Sequence, residues 1–301
     1  MSEPSVQPIT RQWVAEHLLP RPERAHKGDF GRLLVVAGSV EYPGAAMLTG
    51  LGAIRAGAGL VTVAAAASVT NRLAGVVPEL TWLVLDEEAP GLIAPSGWRH
   101  ATSESAAYDA VVLGPGLGRQ AATLRRARNL VGALRAPAVV DADALNALAA
   151  GARWWQGVKA PLVLTPHPGE FARLVAGEAP ASHDDGARAA AASQAALRWK
   201  QVVVLKGARS VVASPDGDVR RSSVASPALA TAGSGDVLAG VIGAFLAGGS
   251  APFVAAICGV AVHGAAGLLA EDRIGRAGVI ARDIAALLPE AIEQLRGGPT
   301  G

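Results

Sequence analysis

Six short, essentially apolar runs recur along the chain: Leu33 to Ala37, Leu60 to Ala64, Ala110 to Leu113, Ala138 to Val140, Leu162 to Leu164 and Val202 to Leu205. A strand with one wet face alternates apolar and polar residues, so runs that do not alternate predict strands covered on both faces. Between them lie segments with helical spacing, such as Met47, Leu51, Ile54 and Ala58, and an alanine-rich stretch from Asp184 in which Asp184 and Arg188 can pair one turn apart. Strand and helix therefore alternate as βαβ units around a mostly parallel sheet, an α/β fold with helices on both faces. Val211 to Ala213 and Val219 to Arg221, joined by Ser214-Pro215-Asp216-Gly217-Asp218, read instead as a hairpin and predict one antiparallel edge.

After Gly233 the pattern turns helical, and Val237 to Ala270 contains no Asp, Glu, Lys or Arg. Such a stretch is long enough to suggest membrane spans. Gly248, Gly249, Ser250 and Pro252 interrupt it and His263 sits inside it, which favours two helices buried in a core, with no membrane partner. No repeat or linker divides the 301 residues, so a single domain is expected, with residues 1–25 as an N-terminal extension.

The formal charge of +2 is spread as scattered basic residues without a stripe, which argues against nucleic acid as a partner. Cys258 is the only cysteine, so no internal disulfide can form and a reducing compartment is expected. Charges and prolines in the first thirty residues interrupt any signal-peptide core, and the expectation is a cytoplasmic protein.

Ligands of open parallel sheets bind outside the carboxyl ends of the strands, so the loops that follow the apolar runs are the places to search. In Ala37-Gly38-Ser39 and Tyr42-Pro43-Gly44-Ala45-Ala46, small residues allow close approach of a ligand, although an ordinary strand-to-helix turn has the same composition. Gly114-Pro115-Gly116-Leu117-Gly118 carries three alternate glycines and is expected to expose several backbone N–H groups to a polyanion, but it lacks the GxGxxG spacing of a dinucleotide fingerprint. In Thr165-Pro166-His167-Pro168-Gly169-Glu170, two prolines hold His167 rigidly, either for a ligand or only to cap a helix with Glu170. Neither a second histidine nor a cysteine stands nearby to make a metal site. Lys206, emerging from the most hydrophobic run into Gly207-Ala208-Arg209-Ser210, suits a phosphate or a solvated strand end equally well.

Thr231-Ala232-Gly233-Ser234-Gly235-Asp236 is the strongest of the five. It opens onto an apolar helix, and Gly233, Ser234 and Gly235 would form an anion hole at the positive end of the helix dipole. Asp236 beside that hole is placed to take the proton of a hydroxyl that attacks the bound phosphate. No GxxxxGK[ST] and no protein-kinase catalytic-loop pattern is present, so phosphoryl transfer would follow another design.

Taken in order, these loops resemble the ADP/ATP-dependent NAD(P)H-hydrate dehydratases of the ribokinase-like superfamily. The resemblance runs from His26-Lys27-Gly28-Asp29 to Asp283, through Gly57-Ala58-Gly59-Leu60-Val61, the GPGLG loop, Asp141-Ala142-Asp143-Ala144-Leu145-Asn146, His167-Pro168-Gly169-Glu170, Lys206-Gly207 and Gly233-Ser234-Gly235-Asp236. It implies a sheet of about nine strands. It further implies Ala45, Gly116, His167 and Asp236 on hydrated NADH or NADPH, with Lys206, Gly207, Ala208, Arg209, Ser210 and Gly235 on ADP or ATP. Asp236 would be the catalytic base, Mg²⁺ would sit on the phosphates, and the assembly would be a homo-oligomer, a tetramer. Ser210 and Ser234 stand where the family often has threonine, Ala232 replaces a glycine, and Ser226 replaces an asparagine. No epimerase domain of the kind that often precedes this one is expected, and epimerisation of the hydrate is expected to need another protein. The competing readings are a small-molecule kinase of the same superfamily, acting on a hydroxymethylpyrimidine, thiazole or sugar alcohol, and a nucleotide-binding regulator without turnover.

Overall fold

The order of the strands in space, more than their number, decides which loops meet. A computed structural model describes residues 4–181 and 183–297; the outer ends of the expected 1–301 domain, including the first three residues of its extension, lie outside the described residues. The strands are β1 (Val6–Pro8), β2 (Arg32–Val36), β3 (Leu60–Ala66), β4 (Thr81–Leu85), β5 (Glu87–Ala89), β6 (Leu92–Ile93), β7 (Ala110–Leu113), β8 (Ala138–Val140), β9 (Leu162–Leu164), β10 (Val202–Leu205), β11 (Val211–Ala213) and β12 (Val219–Arg221). The helices are α1 (Arg11–His17), α2 (Pro43–Ala56), α3 (Ala67–Leu73), α4 (Pro95–Glu104), α5 (Ala121–Ala133), α6 (Ala142–Ala149), α7 (Pro168–Val175), α8 (Asp185–Trp199), α9 (Ser234–Ala247), α10 (Pro252–Ile274) and α11 (Ala281–Arg296).

Ten strands form one sheet in the order β1-β12-β11-β10-β9-β8-β7-β2-β3-β4. Within this sheet, among the described residues, only the β10–β11 and β11–β12 pairs are antiparallel, the second being the expected hairpin; β5 and β6 form a separate antiparallel pair. β7, β8, β9 and β10 are buried at every position, as non-alternating apolar runs require. The N-terminal extension does not stand apart: β1 adds a parallel strand to β12 in register Val6 with Val219.

Helices α2, α9 and α10 pack on one face of the sheet, with α11 outside them, while α4 to α7 follow one another along the other. The charge-free stretch forms α9 and α10, as expected of two core helices. Helix α10 is long and apolar enough to cross a membrane, yet 67% of its most apolar window is buried in this fold, against α9, α11 and the strands β9 to β11. Contact between α2 and α9 depends on glycine, since a Cβ on Gly240 would lie 2.0 Å from Thr49 O. That close fit fixes the start of α9 relative to the loops around α2.

One expected pairing is corrected. Asp184 does not pair with Arg188; it is the N-cap of α8 and accepts from the Ala187 N–H at 2.8 Å. Arg188 is buried to 1% exposure, with its guanidinium turned under the loop after β10 and Asp185 3.5 Å away. The residue just before a helix satisfies an orphan N–H better than it makes an exposed i,i+4 pair.

Candidate active site

The C-terminal ends of β2, β7, β8, β9 and β10 and the start of α9 bring the searched loops together. Ala45 and Gly116 are neighbours. Gly38 N–H donates to Pro115 O at 2.8 Å, and a Cβ on Gly116, where φ is +62°, would lie 2.8 Å from Ala45 Cβ and from Tyr42 O.

The GPGLG loop is not the bare nest expected of it. Gly114 N–H donates to Val36 O (3.1 Å), Leu117 N–H to Gly114 O (3.3 Å), and Gly118 N–H to Asp143 Oδ2 (2.9 Å), while Pro115 has no N–H. Only the Gly116 N–H of these five residues lacks a hydrogen-bond partner among the described residues. The loop is a shaped wall whose donors are already committed.

His167 is the N-cap of α7. Its Nδ1 accepts from Gly169 N–H (3.0 Å) and Glu170 N–H (3.4 Å), and Glu170 Oε2 accepts in return from His167 N–H (2.8 Å). This is a capping box, with histidine taking the usual hydroxyl role. Because Nδ1 accepts, the ring proton sits on Nε2, which lies 3.5 Å from Glu170 Oε1, and the side chain as a whole is half-exposed. Burial, then the nearby Lys206 and Arg173, keeps the imidazole below its ordinary pKa and so neutral.

Lys206 is not a solvated strand end. Its Nζ lies 2.8 Å from Asp141 Oδ1 and 4.0 Å from Glu170 Oε2, and a Cβ on Gly235 would be 3.4 Å from that nitrogen. Lys206 thus joins β10 to the first turn of α9, uniting two segments assigned to one nucleotide. Burial alone would depress its pKa, but Asp141 and then Glu170 outweigh that and hold it above the usual lysine value. The loop Lys206 to Ser210 is shaped from beneath by Arg188, which donates to Ala208 O (2.7 Å), Leu205 O (3.3 Å), Lys206 O (3.4 Å) and Arg209 O (3.5 Å). Arg209 is held by Asp185 at 3.2 Å, and Ser210 Oγ donates to Gly207 O at 3.1 Å.

At the start of α9, Gly233 caps the helix with φ +85°. Ser234 N–H closes a turn on Thr231 O (3.2 Å), so the Gly233, Gly235 and Asp236 N–H groups remain without partners among the described residues. Ser234 Oγ meets His263 Nε2 of α10 at 3.0 Å. Burial pushes the His263 pKa down to about 4, so it is a neutral brace. Asp236 sits in this first turn. Burial, then Asp141, raises its carboxyl pKa to about 7 against the opposing pull of Lys206. A carboxylate poised near neutrality beside unpaired amides and a lysine can accept a proton where an anion is held.

Asp141, Glu170, Arg188 and His263 had no site role from sequence. The first two lay in quoted motifs, as carboxylates at a strand end and in a first helical turn, but only the spatial order β10-β9-β8 makes them partners of Lys206. A cavity of about 310 Å³ bounded by Leu19, Phe30, Ile54, Phe245 and Ile292 lies at the other end of α9 and holds none of these groups.

A mostly parallel sheet whose strand ends meet a glycine-opened helix start with its own carboxylate defines the ribokinase-like class. A ribokinase-like superfamily protein of Enterococcus faecalis shares the fold, with a TM-score of 0.77 at 23% identity over 96% of each chain. The model of the NAD(P)H-hydrate dehydratase family matches residues 33–290, and the chain belongs to that family. The ADP-dependent (S)-NAD(P)H-hydrate dehydratase of Xanthomonas campestris is 39% identical over 99% of this chain and 100% of its own length. The Bacillus subtilis ADP/ATP-dependent NAD(P)H-hydrate dehydratase, co-crystallised with ATP and Mg²⁺, superposes with a TM-score of 0.83 at 32% identity, covering 97% of this chain and 99% of that one. The bifunctional NAD(P)H-hydrate repair enzyme of Moorella thermoacetica is 41% identical over 95% of this chain; the chain spans about half the length (54%) of that relative.

Proposed function

We propose that this chain removes water from the S-form of hydrated NADH and NADPH, using ADP or ATP to convert the ring hydroxyl into a phosphate ester that can leave. Hydroxide is a poor leaving group and phosphate a good one. The observation that carries the reading is Asp236, whose pKa of about 7 places a base at working pH beside the unpaired N–H groups of Gly233 and Gly235.

In the first step Asp236 takes the proton of the substrate hydroxyl as its oxygen attacks the terminal phosphorus of the nucleotide. The bond from that phosphorus to the bridging oxygen breaks, giving AMP from ADP or ADP from ATP. The amides at the start of α9 and the Lys206 ammonium stabilise charge on the transferred group. In the second step phosphate departs with the bonding pair, the neighbouring ring carbon loses a proton, and the dihydronicotinamide double bond returns. Ala45 and Gly116 form the wall against which the ring would lie, with His167 assigned to the same substrate.

Mg²⁺ fits as an ion carried on the nucleotide phosphates, where it would neutralise their charge. Among the described residues no group of three His, Cys, Asp or Glu is spaced to hold a metal of the protein's own, and Asp141 is the buried strand-end carboxylate that would meet the ion through water. A cytoplasmic homo-oligomer, a tetramer, completes the proposal; the buried Cys258, its pKa pushed up to about 12 by burial, is an inert thiol suited to a reducing compartment.

The test is incubation of the purified protein with the hydrate of NADH or NADPH, Mg²⁺ and either nucleotide. Dihydronicotinamide absorbance and free phosphate should rise together. A stable phosphoester with no such absorbance would assign the chain to a kinase instead.

A further inference from the structure

Two arginines that the proposed chemistry does not use stand near His167 of the site. Arg119 follows the GPGLG loop, and Arg173 lies in α7. Arg119 Nε donates to Asp143 Oδ1 (3.2 Å), Arg173 Nε donates to Asn146 Oδ1 (2.8 Å), and Asn146 Nδ2 donates to Asp143 Oδ1 (3.3 Å). One short network on α6 therefore docks both guanidiniums. Each is held by its Nε edge alone, and among the described residues no hydrogen bond engages a terminal nitrogen of either.

An exposed arginine with no second role usually waves in solvent, and fixing it costs side-chain entropy. Here the Nε contacts offset that cost and leave the terminal nitrogens without hydrogen-bond partners among the described residues. Asp143 is the one carboxylate in this hydrogen-bond network and also accepts from Gly118 N–H, while the buried Glu170 carboxylate feels the charge of Arg173 without a hydrogen bond to it. Both lie close enough to His167 to disfavour its protonation. Docked guanidinium forks suit the planar recognition of phosphate oxygens.

We infer that Arg119 and Arg173 form a clamp for a phosphate of the hydrated dinucleotide, either its pyrophosphate or its ribose 2′-phosphate, while the damaged ring lies at Ala45, Gly116 and His167. This rests on the dinucleotide reading of the site, but its test needs no turnover. Unhydrated NADPH and NADH, the products of the proposed reaction, are titrated by their fluorescence into the wild-type protein and the Arg119→Gln/Arg173→Gln double variant. Arg119 is 69% exposed, so the change does not reach the core.

The double variant should bind NADPH at least about tenfold more weakly, the scale of losing charge-assisted hydrogen bonds, and should keep its affinity for ADP. A loss shared with NADH assigns the clamp to the pyrophosphate; a loss confined to NADPH assigns it to the 2′-phosphate. Asn146→Ala, which frees Arg173 without removing its charge, should weaken NADPH by about threefold. Wild-type affinity should fall more steeply with salt than that of the double variant, a readout a merely structural role would not move. Unchanged NADPH and NADH binding in the double variant, an equal loss of ADP binding, or no NADPH binding by the wild type would overturn the clamp. If the arginines hold NADPH but the protein dehydrates neither hydrate, the clamp stands and the dehydratase reading falls.

Discussion

The loop from Gly114 to Gly118 and the turn from Gly233 to Asp236 look alike in sequence, each a cluster of glycines after an extended segment. In the folded chain they differ in where their N–H groups go. The GPGLG loop gives its donors to Val36 O, Gly114 O and the Asp143 carboxylate, whereas the Gly233, Gly235 and Asp236 amides of the α9 turn have no partner among the described residues. A glycine cluster therefore makes an anion pocket only when nothing else claims its donors. In the proposed reading the first loop serves as a wall and the second as the phosphoryl site.

The largest test of this contrast is Asp236→Ala. Removing a general base costs about two to four orders of magnitude in turnover. Rates of phosphate release from nucleotide and hydrate measure it directly, and an unimpaired variant would return Asp236 to the role of a helix-stabilising charge.

Gly118 and Gly233 share a φ of +85°, so alanine at either strains the backbone by roughly 1–2 kcal/mol. Their surroundings separate them. A Cβ on Gly118 meets nothing within 4 Å, whereas one on Gly233 would lie 2.4 Å from Leu48 Cδ1 and 3.2 Å from Ala281 Cβ. Gly233→Ala should thus displace the start of α9 and raise the nucleotide KM by about tenfold or more, as misplaced donors do. Gly118→Ala should lower Tm with little change in that KM. Equal effects on nucleotide KM would erase the distinction between the loops.

A smaller effect has a sign that pH must reveal. The Asp236 carboxyl titrates near 7 in the folded protein, mainly through burial, against about 4 in an unfolded chain. Between those values the folded state holds a proton that the unfolded state has released, so this group's contribution to stability declines as pH rises across that window and is fully lost above it. Asp236→Asn cannot ionise. It should therefore be more stable than wild type at pH 8 by at most about 4 kcal/mol, with the gain shrinking towards pH 4. Urea unfolding at both ends of the range checks the slope; a gain that grew on acidification would contradict the assigned pKa.

Legibility from sequence followed the same division between local and distant partners. The central strands could be found because both their faces are covered, and α9 with its carboxylate could be found because cap, glycines and apolar helix are contiguous. β1 escaped because its three residues, Val6–Pro8, are mostly exposed, so no apolar run marks it. β4, on the opposite edge, carries a half-exposed Trp82-Leu83-Val84 segment without clear periodicity. Within the site, Lys206 and Asp141 are 65 positions apart, and Gly118 meets an Asp143 that lies 25 positions on. Spacing along the chain carries no signal for such pairs, since strand order creates them. Arg188 eluded the sequence for the same reason: the carbonyl of Leu205 at the end of β10 and three carbonyls of the loop beyond it draw the guanidinium inward.

The mildest prediction asks whether the GPGLG loop is held as a wall by its acceptor. Asp143→Asn keeps the shape of the side chain but removes its charge, so the bonds from Gly118 N–H (2.9 Å) and Arg119 Nε (3.2 Å) lose their ionic part. A hydrogen bond to a charged group is worth roughly 1 kcal/mol more than a neutral one, which corresponds to about a fivefold change. The KM for the hydrate should rise by about that factor, because Gly116 beside Ala45 and the docked Arg119 shift together. The nucleotide KM should hold, because no hydrogen bond among the described residues joins the start of α9 to this loop, while the pH profile of kcat should move to lower pH, because the Asp143 charge helps to raise the Asp236 pKa. If the nucleotide KM rose with the hydrate KM, the two glycine clusters would be one coupled pocket, and their separate assignment would fail.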